Sequence, residues 1–309
     1  MIQPDLPALF LRTSGSTAEP KLAVLSLANL LANAKGALSI LDLKPNDRWL
    51  LNLPLFHVSG IGILMRCILA QATIAADEKD VQITHLSCVP TQLYRASPVY
   101  KNLRCLLLGG APIHSYPNHL PVIVTYGLTE MGSMVLAKEK PINGYLGFAL
   151  PNRDLKLNKD GEILVRGSCL FQGYWQDGKI QKPDDWFATK DIGTFDPIHG
   201  IKISGRKDWQ FISGGENIQP EEIEKFLLTI PGIEEAAVLP YKDLEFGARP
   251  VAFIIGAVNP ETIKKKLSKH LPKYKIPKNF LFLKTMPTKG LKIDRAALFN
   301  FLESKSFIT

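Results

Sequence analysis

No uninterrupted apolar run in this sequence approaches the roughly 18 residues that a membrane-spanning helix needs. The opening residues, MIQPDLPALFL, also lack the basic flank and the small-residue cleavage site of a signal peptide. Both absences argue against a membrane span or an exported protein. The sequence therefore predicts a cytoplasmic chain.

Cysteine is scarce, and no two cysteines form a CxxC pair. The four that are present stand singly among apolar residues, at Cys67, Cys88, Cys105 and Cys169. This spacing excludes a zinc ribbon or a disulfide framework and predicts buried, reduced thiols.

Acidic residues are missing from one long stretch, residues 262–293, which carries ten lysines. The whole chain has a net charge of +8. A solvated helix face and loop is one interpretation of the lysines, and attraction of a polyanionic substrate is the other. No recognisable nucleic-acid-binding module accompanies them, so we expect no nucleic-acid partner.

The most informative segment that is present is TSGSTAEPK, Thr13 to Lys21. It follows a predicted strand at residues 8–11 and precedes a predicted amphipathic helix with Ser26 as N-cap. A Walker loop would need glycine before its lysine and Ser or Thr after it, whereas Pro20 and Leu22 stand there. Two interpretations stay open: a polyphosphate-binding loop, or a solvated turn whose hydroxyls bind their own backbone.

The order of apolar runs predicts the domain organisation. From Arg48 onward, strand-like runs alternate with helical ones, which predicts a layered α/β domain with a largely buried sheet. From about residue 144 short strands and turns predict a β-rich subdomain. The residues predict a larger domain at 1–204 and a small α+β domain at 205–309.

Polar motifs follow several of the predicted strands. His57, in PLFHVSG, lies on a loop beside a helix start, and LLLGGAP ends a strand in two glycines. VTYGLTEMGS offers an aromatic ring, a hydroxyl and the Glu130 carboxylate, which suits a base, a phosphate and a divalent cation. WFATKDIG places Asp191 on a predicted tight loop. Taken singly, each motif is also compatible with a structural role, which is the commoner one for a lone histidine such as His57.

Together and in this order, the motifs resemble those of the adenylate-forming superfamily of acyl- and aryl-CoA synthetases. The matching stretches are TSGSTAEPK, LFHVSG, GGAPI, YGLTE, GEILVRG, FQGYW, TKDIG, SGRKDWQFISGGENIQPEEIE and KIDR. Within it, PLFHVSG, GILMR, ITHLSCVPTQLYR and LGGAPI are most similar to the o-succinylbenzoate–CoA ligases of menaquinone synthesis. The resemblance spans nearly the whole chain.

The resemblance implies a nucleotide site. Its members would be Thr13, Ser14, Gly15, Ser16, Thr17 and Lys21 around the β- and γ-phosphates, Gly109, Gly110, Ala111, Tyr126 and Gly127 around adenine, Thr129 at the α-phosphate, and Asp191 and Arg206 at the ribose. Glu130 would hold Mg²⁺.

The resemblance also implies roles beyond the nucleotide. His57 would line the acyl pocket, and Arg66 would pair with a second substrate carboxylate or else snorkel from its helix. Lys292 would be the mobile lysine of adenylation, with Lys289 as the alternative. Residues 1–204 would be the ATP- and acyl-binding domain and residues 205–309 a mobile domain, with Asp208 as the hinge between them. The glycine pair would flank the pantetheine tunnel, at Gly214 and Gly215.

The implied activity is ATP-dependent ligation of a carboxylic acid to CoA through an acyl-adenylate. A relative that binds nucleotide or CoA without turnover and an enzyme that loads a carrier protein are the alternatives. The expected partners are a small carboxylic acid, ATP, CoA and, in a homodimer, a second copy. Family members carry a further sub-domain ahead of the phosphate loop, so we expect one sheet edge to be missing or supplied by a partner chain.

Overall fold

The computed structural model describes residues 3–13, 21–95, 100–111, 113, 116–289 and 292–304. The chain divides into two compact units. The first comprises Met1–Thr189 with Gly193–Ile203, and the second comprises Lys190–Ile192 with Ser204–Thr309.

Within the described residues, the first unit contains three α-helices and most of the strands. In chain order they are β1 Pro7–Arg12, β2 Leu22–Ser26, α1 Leu27–Leu41, β3 Arg48–Leu50, α2 Val58–Ala70, β4 Thr73–Ala75, β5 His85–Cys88, α3 Pro90–Arg95, β6 Cys105–Leu108, β7 Val122–Leu128, β8 Ser133–Glu139, β9 Asp154–Leu157, β10 Glu162–Arg166, β11 Gly173–Gln176 and β12 Lys179–Gln181. The strands β13 Phe187–Asp196 and β14 Gly200–Arg206 follow, and residues 190–192 of β13 and 204–206 of β14 belong to the second unit.

A six-stranded sheet forms the centre of the first unit, in the order β4-β3-β5-β6-β7-β8. Its strands run parallel except β8, which is antiparallel to β7. Every residue of β5 and β6 is buried, as expected for strands covered on both faces. The predicted mixed α/β fold with a buried sheet is confirmed.

The segment around the predicted phosphate loop differs from expectation in one respect. Ser26 does cap α1, because its hydroxyl accepts from the Asn29 amide while the Asn29 side chain accepts from the Ser26 amide. However, β2 lies between the loop and the helix and pairs antiparallel with β1. The loop therefore joins two strands of a hairpin. The sequence pattern did not reveal β2, because LAVLS continues directly into the apolar face of α1.

Two further sheets complete this part of the chain, with strand orders β1-β2-β11-β12 and β14-β13-β10-β9. Strand β11 pairs with β2 so that Tyr174 lies opposite Ala23 and Trp175 opposite Leu22. Two of the short strands that follow Gly144 in the sequence, β11 and β12, thus share a sheet with the strands on either side of the phosphate loop.

The second unit is an α+β structure. Its elements are β15 Phe211–Ser213, β16 Glu216–Ile218, α4 Pro220–Leu228, β17 Ile233–Asp243, β18 Gly247–Gly256, α5 Pro260–Leu267, β19 Asn279–Phe282, β20 Thr288–Lys289, β21 Lys292–Ile293 and α6 Arg295–Ser304. The central sheet has the order β17-β18-β19, with β19 parallel to β18. Helix α4 begins at Pro220 with two acids in its first turn, which suits the positive end of the helix dipole.

All four cysteines are free and buried, as predicted. Burial raises the pKa of the Cys67 thiol to about 11 and that of Cys88 to about 12, so these thiols stay protonated near neutral pH. Within the described ranges, no helix combines the length and apolarity needed to traverse a bilayer.

Candidate active site

The predicted phosphate loop is closed at its base by strand pairing. The Thr13 amide donates to the Lys21 carbonyl oxygen at 2.8 Å, and the Thr13 hydroxyl lies 3.3 Å from the same oxygen. The predicted members Ser14, Gly15, Ser16 and Thr17 lie outside the described residues. Lys21 Nζ lies 4.9 Å from the centre of the Tyr174 ring, over its face.

Several predicted site residues lie just beyond parallel strands of the central sheet. His57 comes after β3, Gly109 after β6, and Glu130 after β7. Because carboxyl ends of parallel strands meet at one edge of a sheet, the topology brings these residues to the same edge. This edge is the usual ligand position in α/β proteins.

Steric constraints explain why glycine occupies several positions at this edge. A Cβ on Gly109 would lie 2.5 Å from Thr125 Cγ2, and one on Gly127 would lie 2.2 Å from the Ser133 carbonyl oxygen. Gly110 has φ +79°, which disfavours other residues. Ala111 and Tyr126 are half-buried beside them. The backbone at the end of β6 therefore stays bare enough for a flat ligand to approach closely.

The turn that carries Thr129 and Glu130 is held at both ends. It is a single 3-10 turn, Thr129–Met131, closed by Gly132 with φ +66°. The Asn33 side chain donates to the Met131 carbonyl at 2.7 Å and to the Met134 carbonyl at 2.9 Å. The Tyr174 hydroxyl donates to Glu130 Oε1 at 2.5 Å. The Glu130 carboxylate is thus oriented by a residue from another motif.

The oxygen atoms of this turn suit a magnesium ion that arrives bound to a phosphate. Glu130 and Thr129 offer hard oxygen atoms, which Mg²⁺ prefers. Among the described residues, no group of three or more His, Cys, Asp or Glu side chains could hold a metal. A cation here would take its remaining ligands from water and the nucleotide phosphates, which is the usual arrangement for Mg²⁺.

Arg66 is fully buried, with 1% of its surface exposed. Its Nη2 donates to the Ser133 hydroxyl at 3.0 Å, and its guanidinium lies 5.5 Å from the Trp49 ring centre. Burial and the nearby Arg153 lower the pKa of Arg66 to about 10. Its Nε is buried and has no hydrogen-bond partner among the described residues. The side chain points inward, so the snorkelling alternative is wrong.

His57 lies at the start of the same helix. It is the N-cap residue of α2 and makes no side-chain capping bond. Its ring packs 4.7 Å from that of Phe56 at an interplanar angle of 51°. The predicted placement of His57 beside a helix start is confirmed, and its role in the acyl pocket stays a prediction.

In the second unit Asp191 and Arg206 form an ion pair. Arg206 Nη1 donates to Asp191 Oδ1 at 2.9 Å, and Arg206 Nη2 lies 3.5 Å from Asp208 Oδ2. Lys190 approaches Asp208 at 3.4 Å. Asp191 lies within β13 and is 8% exposed, so its prediction on a tight loop is wrong. The sequence TKD did not indicate a strand, because the polar residues Thr189 and Asp191 occupy buried positions of β13 where apolar residues would be expected.

The other predicted residues of the second unit lie on two hairpins. Gly214 and Gly215, with φ +57° and +85°, form the turn between β15 and β16. Lys289 and Lys292 are direct partners across the β20-β21 pair, and both are exposed. The two candidate lysines are thus cross-strand neighbours rather than residues of an irregular loop. Their sequence separation alone did not reveal this pairing.

Three residues that contact the predicted site were missed from the sequence. Tyr174 contacts Glu130 and Lys21, while Trp49 and Ser133 contact Arg66. The FQGYW motif was noted in the sequence. Its tyrosine, Tyr174, is the residue of that motif with a hydroxyl, which can donate a hydrogen bond to a carboxylate, and it could have been identified on that ground. Ser133 and Trp49 carried no such signal.

Comparisons with known proteins agree with this geometry. The family model described as "AMP-binding enzyme" matches residues 1–175, and the model "AMP-binding enzyme C-terminal domain" matches residues 222–291. A 2-succinylbenzoate–CoA ligase of Salmonella typhimurium is 40% identical over 96% of this chain and 69% of its own length.

Two solved structures are similar over most of the chain. A variant of Escherichia coli MenE with bound OSB-AMS is 33% identical with a TM-score of 0.84, covering 97% of this chain and 70% of that one. Bacillus subtilis o-succinylbenzoate CoA synthetase, in complex with ATP and a magnesium ion, is 29% identical with a TM-score of 0.83, covering 96% and 70%. The chain belongs to the AMP-binding enzyme family, the adenylate-forming acyl- and aryl-CoA synthetases.

Proposed function

We propose that this protein is an ATP-dependent o-succinylbenzoate–CoA ligase. In the first step a substrate carboxylate attacks the α-phosphorus of ATP, which forms an acyl-adenylate and releases pyrophosphate. In the second step the CoA thiolate attacks the acyl carbonyl, which forms a thioester and releases AMP. The 40% identical ligase from Salmonella typhimurium supports this assignment.

The first step needs charge stabilisation more than a base, because the nucleophile is already ionised and negative charge builds on phosphoryl oxygens. Lys21 and the segment between Thr13 and Lys21 are proposed to hold the β- and γ-phosphates. Thr129 would donate to the α-phosphate, and Glu130 would hold the magnesium ion. Bound Mg²⁺ neutralises phosphate charge.

The second unit is proposed to contribute ribose binding and one cation. Asp191, paired with Arg206, presents carboxylate oxygen that can accept from ribose hydroxyls. Lys292 is proposed to supply an ammonium to adenylation only, with the hinge at Asp208 and the pantetheine passage beside Gly214 and Gly215. The division of labour between residues 1–204 and 205–309 stays part of this proposal, as do the cytoplasmic location and the homodimer.

The observation that carries the choice of acid is the buried Arg66. Among the described residues, no carboxylate contributes to the shift in its pKa, and none provides a hydrogen-bond partner for its Nε. A buried cation without a counter-charge is unfavourable unless a ligand supplies one. o-Succinylbenzoate carries two carboxylates, so one can react while the other pairs with Arg66.

The test is pyrophosphate release with ATP, Mg²⁺ and each of three acids: o-succinylbenzoate, benzoate and benzoylpropionate. Benzoylpropionate lacks only the aryl carboxylate of o-succinylbenzoate, whereas benzoate lacks the whole side chain that carries the other carboxylate. We expect o-succinylbenzoate to have the highest kcat/KM by at least about 30-fold, the lower bound for a paired buried charge. Equal rates for a monocarboxylic acid would contradict the assignment, and no release with any acid would leave only a binding function.

A further inference from the structure

The phenol of Tyr174 lies between two groups that the proposed function places at the nucleotide. Its hydroxyl donates to Glu130 Oε1 at 2.5 Å, within the range of a charge-assisted hydrogen bond. Its ring face receives the Lys21 ammonium at 4.9 Å, a cation–π distance. One side chain therefore links the end of the phosphate loop to the carboxylate proposed to hold the cation.

Strand pairing fixes the position of this ring. Tyr174 lies in β11, opposite Ala23 of β2, and Lys21 immediately precedes β2. The rings of Phe171 and Phe187 pack against it, at 4.8 Å with an interplanar angle of 73° and at 6.5 Å with an angle of 59°. The phenol has little freedom to turn away from Glu130.

Glu130 is held from a second direction. The Phe171 amide donates to the Glu130 carbonyl oxygen at 2.7 Å, so the segment leading into β11 and the turn that carries Glu130 are tied through both backbone and side chain. A carboxylate with one oxygen bonded to the phenol presents its other oxygen, Oε2, in a set direction. A cation over the ring also polarises the phenol and makes it a stronger donor.

We propose that Tyr174 is a positioning residue that orients Glu130 to bind the divalent cation of the nucleotide through Oε2. This proposal rests on nucleotide binding at the site and does not depend on which acid is activated. Lys21 contributes by docking on the ring, which places the ammonium and the carboxylate in fixed relation before the nucleotide arrives.

The test measures ATP affinity by isothermal titration calorimetry, in EDTA and at increasing Mg²⁺ concentration, without any organic acid. Tyr174→Phe keeps the ring for Lys21 and removes only the hydroxyl. We expect the Mg²⁺ concentration for half-maximal enhancement of ATP affinity to rise about tenfold, as for loss of one charge-assisted hydrogen bond. Affinity in EDTA should stay within about twofold, because Lys21 keeps its ring partner.

The matched control is Tyr145→Phe, because Tyr145 also has a lysine over its ring, with Lys202 Nζ at 5.6 Å. This control should behave as the unmodified protein does. An unchanged Mg²⁺ dependence in Tyr174→Phe, or an equal shift in both variants, would overturn the proposal.

A second comparison applies if Tyr174→Phe weakens folding. In a Glu130→Gln background, which removes the carboxylate, adding Tyr174→Phe should produce no further change in Mg²⁺ dependence. A full additional shift would show that the hydroxyl acts elsewhere. Because no acid is present, a wrong assignment of the acid would leave both results unaffected.

Discussion

Replacing Arg66 with methionine tests whether this arginine is retained for substrate at the expense of stability. The two side chains have similar length, so Arg66→Met removes the charge with little loss of packing. The guanidinium is 1% exposed, and its described hydrogen-bond partner is the Ser133 hydroxyl. We expect the variant to have a higher free energy of unfolding and to bind o-succinylbenzoate much more weakly.

The magnitudes follow from the burial of the charge. The fall in the pKa of Arg66 from its ordinary value to about 10 corresponds to roughly 3 kcal/mol against the charged form, at about 1.4 kcal/mol per pKa unit. Removing the charge should recover about 1–3 kcal/mol of unfolding free energy, as replacement of buried charges by apolar residues often does. Loss of a buried charge pair with substrate should raise KM by about 30-fold or more, since such truncations weaken binding by about 2–5 kcal/mol.

The assay pairs pyrophosphate release with urea unfolding. KM for o-succinylbenzoate in Arg66→Met should approach that of the better monocarboxylic analogue. The rates with benzoate and benzoylpropionate should change by less than about threefold, because neither acid has a second carboxylate to pair with Arg66. A uniform loss of rate with all three acids would indicate misfolding. Lower stability together with equal loss for all three acids would refute the reasoning and make Arg66 structural.

Arg153 provides the matched control, because it is also buried and cationic but donates to backbone carbonyls. Its partners are the carbonyl oxygens of Met134, Asn33 and Pro151. Arg153→Met should therefore lose about 2–4 kcal/mol of unfolding free energy, since it leaves buried acceptors unpaired. Stabilisation by both substitutions would mean that the hydrogen bonds of Arg153 contribute nothing.

Two further predictions concern adenylation and acid stability. Lys292→Ala should slow pyrophosphate release by about 100-fold or more but retain thioester formation from supplied acyl-adenylate, because only the first step needs the cation. The control Lys289→Ala should lose less than about threefold in the rate of either half-reaction. The reverse ranking would exchange the roles assigned to the two lysines. Burial lowers the pKa of His85 from 6.5, so the unfolded chain binds that proton more tightly. Unfolding free energy should therefore fall as pH drops below about 6.5, by at most about 1.4 kcal/mol per pH unit from this residue. The test is urea unfolding between pH 7 and 5, at steps of about half a pH unit. The slope of unfolding free energy against pH should be shallower in His85→Asn than in the exposed-site control His119→Asn. Equal slopes would exclude His85 as the source of the pH dependence.

Much of the architecture was predictable because periodicity and turn residues are local signals. The buried runs around β5 and β6, the cap at Ser26 and the helix at Pro220 all follow from neighbouring residues. Strand β2 was missed because LAVLS is apolar on both sides and continues directly into α1. The strand containing Asp191 was missed because two of its buried positions carry polar residues, Thr189 and Asp191, and not the apolar residues that mark a strand.

The site was predictable only as far as motifs extend along the chain. Gly109 and Glu130 could be identified because each follows an apolar strand, and the topology then determines that they share one edge. The contacts of Tyr174 with Glu130 and of Ser133 with Arg66 join residues 44 and 67 positions apart. Such contacts depend on tertiary packing, which periodicity does not encode.

The most direct test of the central claim is to identify the products of one reaction by mass spectrometry. The protein is incubated with ATP, Mg²⁺, o-succinylbenzoate and CoA. We predict o-succinylbenzoyl-CoA, AMP and pyrophosphate in equal amounts, with acyl-adenylate accumulating when CoA is left out. Formation of ADP and phosphate, or intact ATP after prolonged incubation with a folded protein, would contradict the adenylate-forming account.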